Sequence, residues 1–177
     1  MKKIGFIGLG IMGSNIATHV LKKYKNINIA QRNSVNTKKF LKECAKIGKI
    51  NLFESYKKLA ENSELLISCV GNDNDLEDIY LGKNKILDGV KKNTIIVDHT
   101  TASLNISIKL FKKFRSKKAF FFDAPISGGE IGAQKGNLAI MVGGEKNKFE
   151  ILKKSLDCYY KSMIYMGKSG NGQLTKM

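Results

Sequence analysis

The 177-residue chain has no tryptophan, a single proline (Pro125), three cysteines and, among 31 basic residues, only two arginines, Arg32 and Arg115. Cys44, Cys69 and Cys158 are far apart, odd in number and form neither a Cys-x-x-Cys pair nor a cluster with histidine. They exclude a disulfide framework and a zinc site, read as small core residues, and leave no metal to be expected. No apolar run approaches the ~20 residues that a bilayer span needs. The opening Met-Lys-Lys leads into a short glycine-punctuated strand and not into a signal-peptide core, so the expectation is a cytoplasmic protein with no membrane partner. Low-complexity tracts, linkers and internal repeats are also missing.

Acidic residues are scarce: 15 against 31 basic ones give a formal charge of +16. Such a total raises the question of a polyanionic partner such as nucleic acid. The lysines are scattered as pairs along helical segments, as on solvated faces, and only Lys112 to Lys118 is dense, with no glycine-aromatic RNA-binding signature beside it. Nucleic acid is therefore not the expected partner. Lysine, asparagine and isoleucine at the expense of arginine equally fit an AT-rich coding genome.

Hydrophobic residues make up 42% of the chain, enough for one domain with a core. Short apolar runs at Ile4 to Ile7, Ile27 to Ala30, Leu65 to Val70, Thr94 to Val97, Ala119 to Phe122, Leu138 to Val142 and Met163 to Met166 read as strands, with Ile50 to Phe53 a further candidate. Between them Phe40, Leu41, Cys44 and Ile47 recur at helical spacing, with Gly48 as the C′ glycine. Leu104, Ile108 and Phe111 repeat after Ser103 as N-cap. The alternation predicts an α/β fold, a doubly wound, mostly parallel sheet of Rossmann type.

Gly8-Leu9-Gly10-Ile11-Met12-Gly13 follows the first strand directly and opens a helix with Ile16, Val20 and Tyr24 on one face. In that setting Gly8 permits the tight turn, Gly10 admits a pyrophosphate to the backbone, and Gly13 lets the helix pack close, its N–H groups facing the anion. The bland alternative is a glycine turn with no ligand. An acidic residue about 20 positions on commonly binds the ribose of NAD, whereas the second strand here ends in Gln31-Arg32-Asn33. A guanidinium at Arg32 suits the 2′-phosphate of NADP, so NADP is the expected cofactor with NAD the other candidate, unless Arg32 is only a solvated loop residue.

With three further segments, the glycine turn resembles the β-hydroxyacid dehydrogenase family, of which 3-hydroxyisobutyrate dehydrogenase is a member. IGFIGLGIMGSNIA is similar to the family's cofactor signature, FFDAPISGGEIGAQKGNLAIMVGG to its substrate-binding segment, GNGQLTKM to the start of its catalytic motif, and Asp98 to Ser103 to its strand-end segment near the nicotinamide. The resemblance implies Lys176 as the catalytic acid and base, Thr101 beside nicotinamide and substrate, and Val70 and Gly71 as backbone passing the cofactor, Gly71 replacing the family's usual proline. Ser127, Gly128 and Gly129 offer a hydroxyl and approachable N–H groups to a substrate carboxylate, or are simply a turn after a strand. His99 and Asp123 read as structural, the latter a carboxylate satisfied by backbone N–H groups.

The implied organisation is an NAD(P)-binding domain over 1–167 and the start of an interdomain catalytic helix over 168–177. The family continues with asparagines after the lysine and an all-helical domain that completes the pocket and usually the dimer. Here the chain reads as truncated, with that domain absent and a homo-oligomer expected only with it. The implied activity is that of an NADP-preferring oxidoreductase interconverting a short 3-hydroxyacid and its semialdehyde or oxoacid. The alternative is a non-catalytic NADP-binding module.

Overall fold

The computed structural model describes residues 3–30 and 34–177. Within them the apolar runs become β1 (Ile4–Ile7), β2 (Asn26–Ala30), β3 (Lys49–Phe53), β4 (Leu65–Ser68), β5 (Ile95–Asp98) and β6 (Phe120–Asp123). These lie in the order β3-β2-β1-β4-β5-β6, each parallel to its neighbours. The order reverses between β1 and β4, and in such sheets a ligand crevice opens at the carboxyl ends of the two strands that flank the reversal.

Strands covered on both faces must be hydrophobic throughout, and β1 and β4 are buried at every position. Their side chains alternate between two cores. Ile4, Phe6, Leu65, Ile67, Val97 and Phe122 point to one; Ile7, Leu66, Ile96 and Phe121 point to the other. The first core is closed by α1 (Ile11–Tyr24) and α2 (Val35–Cys44). The second is closed by α3 (Tyr56–Glu61), α4 (Asp73–Tyr80), α5 (Ile86–Gly89) and α6 (Leu104–Ser116). Its centre is aromatic: Phe114 stacks on Phe121 with ring centroids 5.7 Å apart, and Tyr80 meets both edge-on.

After β6 the direction changes. β7 (Ile126–Ser127) is followed by α7 (Gly129–Lys135), and β8 (Leu138–Gly143) then runs antiparallel to both β7 and β6. α8 (Lys146–Leu156) returns the chain so that β9 (Tyr160–Gly167) lies parallel to β8. α9 (Asn171–Lys176) then packs back on the carboxyl edge of the sheet, against β6, β8 and α6. The sheet is thus mostly parallel, as the sequence predicts.

Several local expectations need correction. α2 ends at Cys44 with Ala45 as a right-handed C-cap, so Gly48 is not a C′ glycine. It sits where a Cβ would lie 2.7 Å from the Lys25 carbonyl oxygen. On α6, Ser103 does cap the helix, its Oγ accepting from the Ile106 N–H, but the buried stripe is Ile106, Leu110 and Phe114. Leu104, Ile108 and Phe111 flank that stripe, half-buried. The last strand is longer than Met163 to Met166. Among the described residues no helix is long and apolar enough to cross a membrane, and no cluster of side chains is arranged to hold a metal.

Candidate functional site

The crevice at the reversal point is built by three glycines with different tasks. Gly8 leaves β1 at φ +90°, and a Cβ there would stand 2.0 Å from the Cys69 carbonyl oxygen. A Cβ on Gly13 would stand 1.8 Å from the Gly8 carbonyl oxygen, so the first turn of α1 presses directly on the loop. Gly10, the N-cap of α1, is exposed, and its Cβ would meet nothing within 4 Å. The first two glycines are required by the protein's own packing, whereas the third leaves open space in front of a helix N-terminus.

That N-terminus has no side-chain cap and no acidic residue in its first turn, so its N–H groups remain available to an anion. The open space is a cleft of about 490 Å³ running from Gly8 to Gly13, past Val70 and Gly71 at the end of β4, to Ala30, Ser34 and Thr37 beyond β2. An elongated, partly apolar cleft with an anion-receiving helix end at its middle fits a dinucleotide.

The far end of this cleft was only partly foreseen. Gln31, Arg32 and Asn33 lie outside the described residues. Directly after them Ser34 caps α2, its Oγ accepting from the Thr37 N–H and lying 2.9 Å from the Thr37 hydroxyl, and Asn36 and Tyr56 also line the cleft. A serine just past the second strand is a readable N-cap signal for these residues. At the other end, the Gly71 N–H donates to Asp75 Oδ2 at 3.1 Å, a bond that the family's proline has no hydrogen to make.

A second pocket of about 330 Å³ adjoins the first and shares Met12, Cys69, Val70 and Gly71 with it. It brings together Thr101, Ser127, Gly128, Gly129 and Lys176, residues distant in sequence, because the segment after β5, the turn from β7 into α7, and α9 after β9 meet at one edge. Ser127 to Gly129 are exposed, Gly128 and Gly129 turning at φ +131° and +60°. Lys176, on α9, is half-buried. Leu9 and Ile11 line the first cleft alone. Burial pushes the Cys69 thiol up to about 12, so it forms wall and not nucleophile.

Behind the pocket are two buried carboxylates that register places side by side, Asp98 on β5 and Asp123 on β6. Asp123 Oδ1 accepts from the Gly170 N–H at 2.7 Å and the Ser169 hydroxyl at 3.2 Å, and Oδ2 accepts from the Gln173 N–H at 3.1 Å. It thereby caps α9 from a neighbouring strand. Burial raises its pKa while these donors hold it down. Asp98 Oδ1 accepts from the hydroxyls of Ser68 at 2.6 Å and Thr100 at 2.8 Å, while Oδ2 has no hydrogen-bond partner among the described residues. Burial dominates and raises the Asp98 pKa to about 7, the hydroxyl donors opposing and the charge of Asp123 adding to it.

His99 borders the pocket, yet both ring nitrogens are engaged. Nδ1 donates to the Ala124 carbonyl at 2.7 Å and Nε2 accepts from the Tyr159 hydroxyl at 2.8 Å. Burial lowers its pKa to about 4, which leaves it neutral and structural. The residue that sequence reasoning missed is Gln173. It is fully buried, its Oε1 accepting from the Ala102 N–H at 3.1 Å and its Nε2 donating to the Thr100 carbonyl at 2.7 Å. A glutamine carries no sequence signal that separates this role from a surface position.

Two outcomes follow from the glycines and the carboxylates. Gly10→Ala should fold with a melting temperature close to that of the parent and bind dinucleotide at least about tenfold more weakly, since an added methyl enters only the cleft. Gly13→Ala should lose stability, by about 2–4 kcal/mol in urea unfolding, since it overpacks against backbone. Equal melting temperatures for the two variants would contradict this division. For Asp98, the folded-state pKa lies above the ordinary 3.8, so the folded protein retains a proton that the unfolded chain releases between about pH 4 and pH 7. Stability tied to Asp98 is therefore full below that window and is lost as pH rises through it. Asp98→Asn should gain melting temperature relative to the parent as pH rises from about 4 to 7; a difference independent of pH would overturn the assignment. His99 acts in the opposite sense, its contribution present above about 6.5 and lost as pH falls toward 4, and it cancels in the comparison.

Residues 3–167 match the NAD binding domain of 6-phosphogluconate dehydrogenase. An uncharacterized oxidoreductase of Bacillus subtilis is 38% identical over 176 residues, 99% of this chain and 59% of its own length. The mitochondrial 3-hydroxyisobutyrate dehydrogenase of Drosophila melanogaster is 32% identical over 176 residues, 99% of this chain and 52% of its own. In fold, 3-hydroxyisobutyrate dehydrogenase of Mycobacterium tuberculosis, solved with L-serine, superposes with a TM-score of 0.87 at 23% identity, covering 99% of this chain and 58% of that one. The chain spans between half and three fifths of the length of these relatives. The match over residues 3–167 coincides with the doubly wound sheet and its glycine turn, and the chain belongs to the family of the NAD binding domain of 6-phosphogluconate dehydrogenase.

Proposed function

We propose that this chain is the cofactor-binding part of an oxidoreductase that interconverts a short 3-hydroxyacid and its semialdehyde or oxoacid, with NADP preferred to NAD. The observation that carries the reading is the pocket holding Lys176, Thr101 and Ser127 to Gly129, which opens into the dinucleotide cleft through Met12, Val70 and Gly71. A nicotinamide bound there supplies or accepts the hydride. Gly8, Leu9, Gly10, Ile11, Met12 and Gly13 receive the pyrophosphate at the open N-terminus of α1. Arg32, flanked by Gln31 and Asn33, grips the 2′-phosphate, and the absence of a carboxylate in this stretch of sequence removes the group that would favour NAD. Val70, Gly71 and Thr101 line the passage between cofactor and substrate.

At the substrate, the Ser127 hydroxyl and the N–H groups of Gly128 and Gly129 hold a small carboxylate, which fixes the carbonyl or alcohol carbon toward the cleft. Lys176 donates a proton to the carbonyl oxygen in reduction and removes the hydroxyl proton in oxidation. An imidazole role is not needed, since His99 has both nitrogens occupied.

Fluorescence titration should show NADPH binding at least about tenfold more tightly than NADH, from the paired charge-assisted bonds of a guanidinium to phosphate; equal affinities would remove Arg32 from the cofactor site. Lys176→Ala should lose turnover of tartronate semialdehyde, whose reduction gives a 3-hydroxyacid, while retaining NADPH affinity within about twofold, because it removes only the proton transfer. An active variant would remove the catalytic assignment. NADPH binding by the parent with no turnover of any short semialdehyde or oxoacid would favour the non-catalytic NADP-binding module.

A further inference from the structure

We propose that Gln173 is a positioning residue that sets Lys176 against the substrate pocket by clamping α9 to the loop after β5. The inference rests on the reading of Lys176 given above. A helix of six residues cannot maintain itself, because so short a nucleus forms too few internal bonds. The N-cap residue of α9, Gly170, has no side chain to cap it, and Leu174 on its outer side is 53% exposed. What holds it is a pair of polar anchors: Asp123 at its first N–H groups, and the Gln173 amide one turn further in.

Gln173 is 0% exposed, and both halves of its amide are used, the oxygen on the Ala102 N–H and the nitrogen on the Thr100 carbonyl. Removing it would orphan a buried donor and a buried acceptor together, so the contact is directional as well as space-filling. The two groups it grips flank Thr101, and Lys176 lies three residues after Gln173, one helical turn along. One side chain therefore fixes both the lysine and the threonine of the pocket. The linkage continues. Thr100 Oγ1 donates to Asp98 Oδ1 and accepts from the Val70 N–H at 3.0 Å. An unbroken chain of bonds runs from α9 through Thr100 to the segment that walls the cofactor cleft.

A displacement of about 1 Å at a reacting group can cost on the order of a hundredfold in rate, so the clamp acts on the chemical step and not on cofactor affinity. The test compares the parent with Gln173→Met, which keeps the volume without the bonds, Gln173→Glu, and Lys176→Ala. Each is assayed for NADPH binding and for steady-state reduction of tartronate semialdehyde. A readout free of turnover is reductive alkylation with glyoxylate and cyanoborohydride, with peptide mapping of Lys176 against the other lysines.

Both Gln173 variants should bind NADPH within about twofold of the parent, with kcat lowered roughly ten- to a hundredfold, KM changed less, and the preferential labelling of Lys176 reduced in parallel. Gln173→Glu should recover as pH falls from about 8 to about 5, where a protonated carboxyl can again donate to the Thr100 carbonyl, and the parent should show no such recovery. Gln173→Met with parental kcat and parental labelling of Lys176 overturns the proposal while leaving the role of Lys176 intact. Loss of NADPH binding in step with kcat also overturns it, by showing a general loss of fold. Turnover surviving in Lys176→Ala, or no preference for Lys176 in the parent, overturns the underlying reading and the clamp with it.

Discussion

Two buried carboxylates on adjacent strands organise the whole carboxyl edge of the sheet. The β5–β6 register sets Asp98 beside Asp123, and neither has a basic side chain among its hydrogen-bond partners although the chain carries 31 lysines and arginines. The donors among the described residues are instead chiefly hydroxyls for Asp98, on Oδ1 alone, and chiefly backbone N–H groups for Asp123. That choice has a structural consequence. A lysine partner would tie a carboxylate to a flexible chain, whereas hydroxyl and backbone donors tie it to particular turns. Asp98 fixes Ser68 and Thr100, at the ends of β4 and β5; Asp123 fixes the start of α9. The loops that form the pocket are thus defined from behind, by groups that do not touch its contents.

The cost of this arrangement is chiefly the burial of carboxylates in a dry environment, visible in the raised Asp98 pKa, with the charge of Asp123 adding to it. It is tolerable because Asp123 is neutralised in part by the N-terminal N–H groups of α9, which act as a local positive charge. Asp98 lacks such a partner and keeps its proton more readily. The asymmetry assigns them different tasks: Asp123 anchors a helix, and Asp98, with a pKa raised to about 7, is a partly protonated node near neutral pH in a hydroxyl network that also includes Tyr80, whose hydroxyl lies 2.6 Å from Ser68 Oγ.

The strands of the parallel half were legible because burial on both faces makes them continuous apolar runs, and the glycine turn was legible because backbone contacts as close as those of Gly8 and Gly13 admit no other residue. Helix faces were harder. α6 buries Ile106, Leu110 and Phe114, but Leu104, Ile108 and Phe111 form an equally regular series, and only the position of the sheet decides between them. The short helices α3, α4, α5 and α7 have too few turns to show a period, and their existence depends on what they pack against. Of the site, the residues with distinctive chemistry or spacing could be named from sequence, and the fold brings Thr101, Ser127 to Gly129 and Lys176 into one pocket. Gln173 and Asp98 could not be given roles, because what distinguishes them is burial and the identity of the groups opposite.

The separation of packing glycines from the open Gly10, and of buried anchors from exposed pocket residues, points to one principle of construction. Several of the groups facing the clefts are small, among them Gly10, Gly71 and Gly128, and the loops that carry the lining are held by bonds from behind. Val70 and Gly71 illustrate it: their N–H groups bind Thr100 and Asp75, which leaves side chain and carbonyl to face the cleft. Thr100 belongs to both layers, receiving Val70 on one side and Gln173 on the other. In the proposed reaction, hydride transfer would require cofactor and substrate to be held within contact distance and proton transfer an acid at the same carbonyl, so the elements proposed for these tasks would have to keep a fixed relation. Joining β4, β5 and α9 through the side chain and carbonyl of a single buried threonine meets that requirement with short, directional bonds, which a surface of scattered lysines cannot provide.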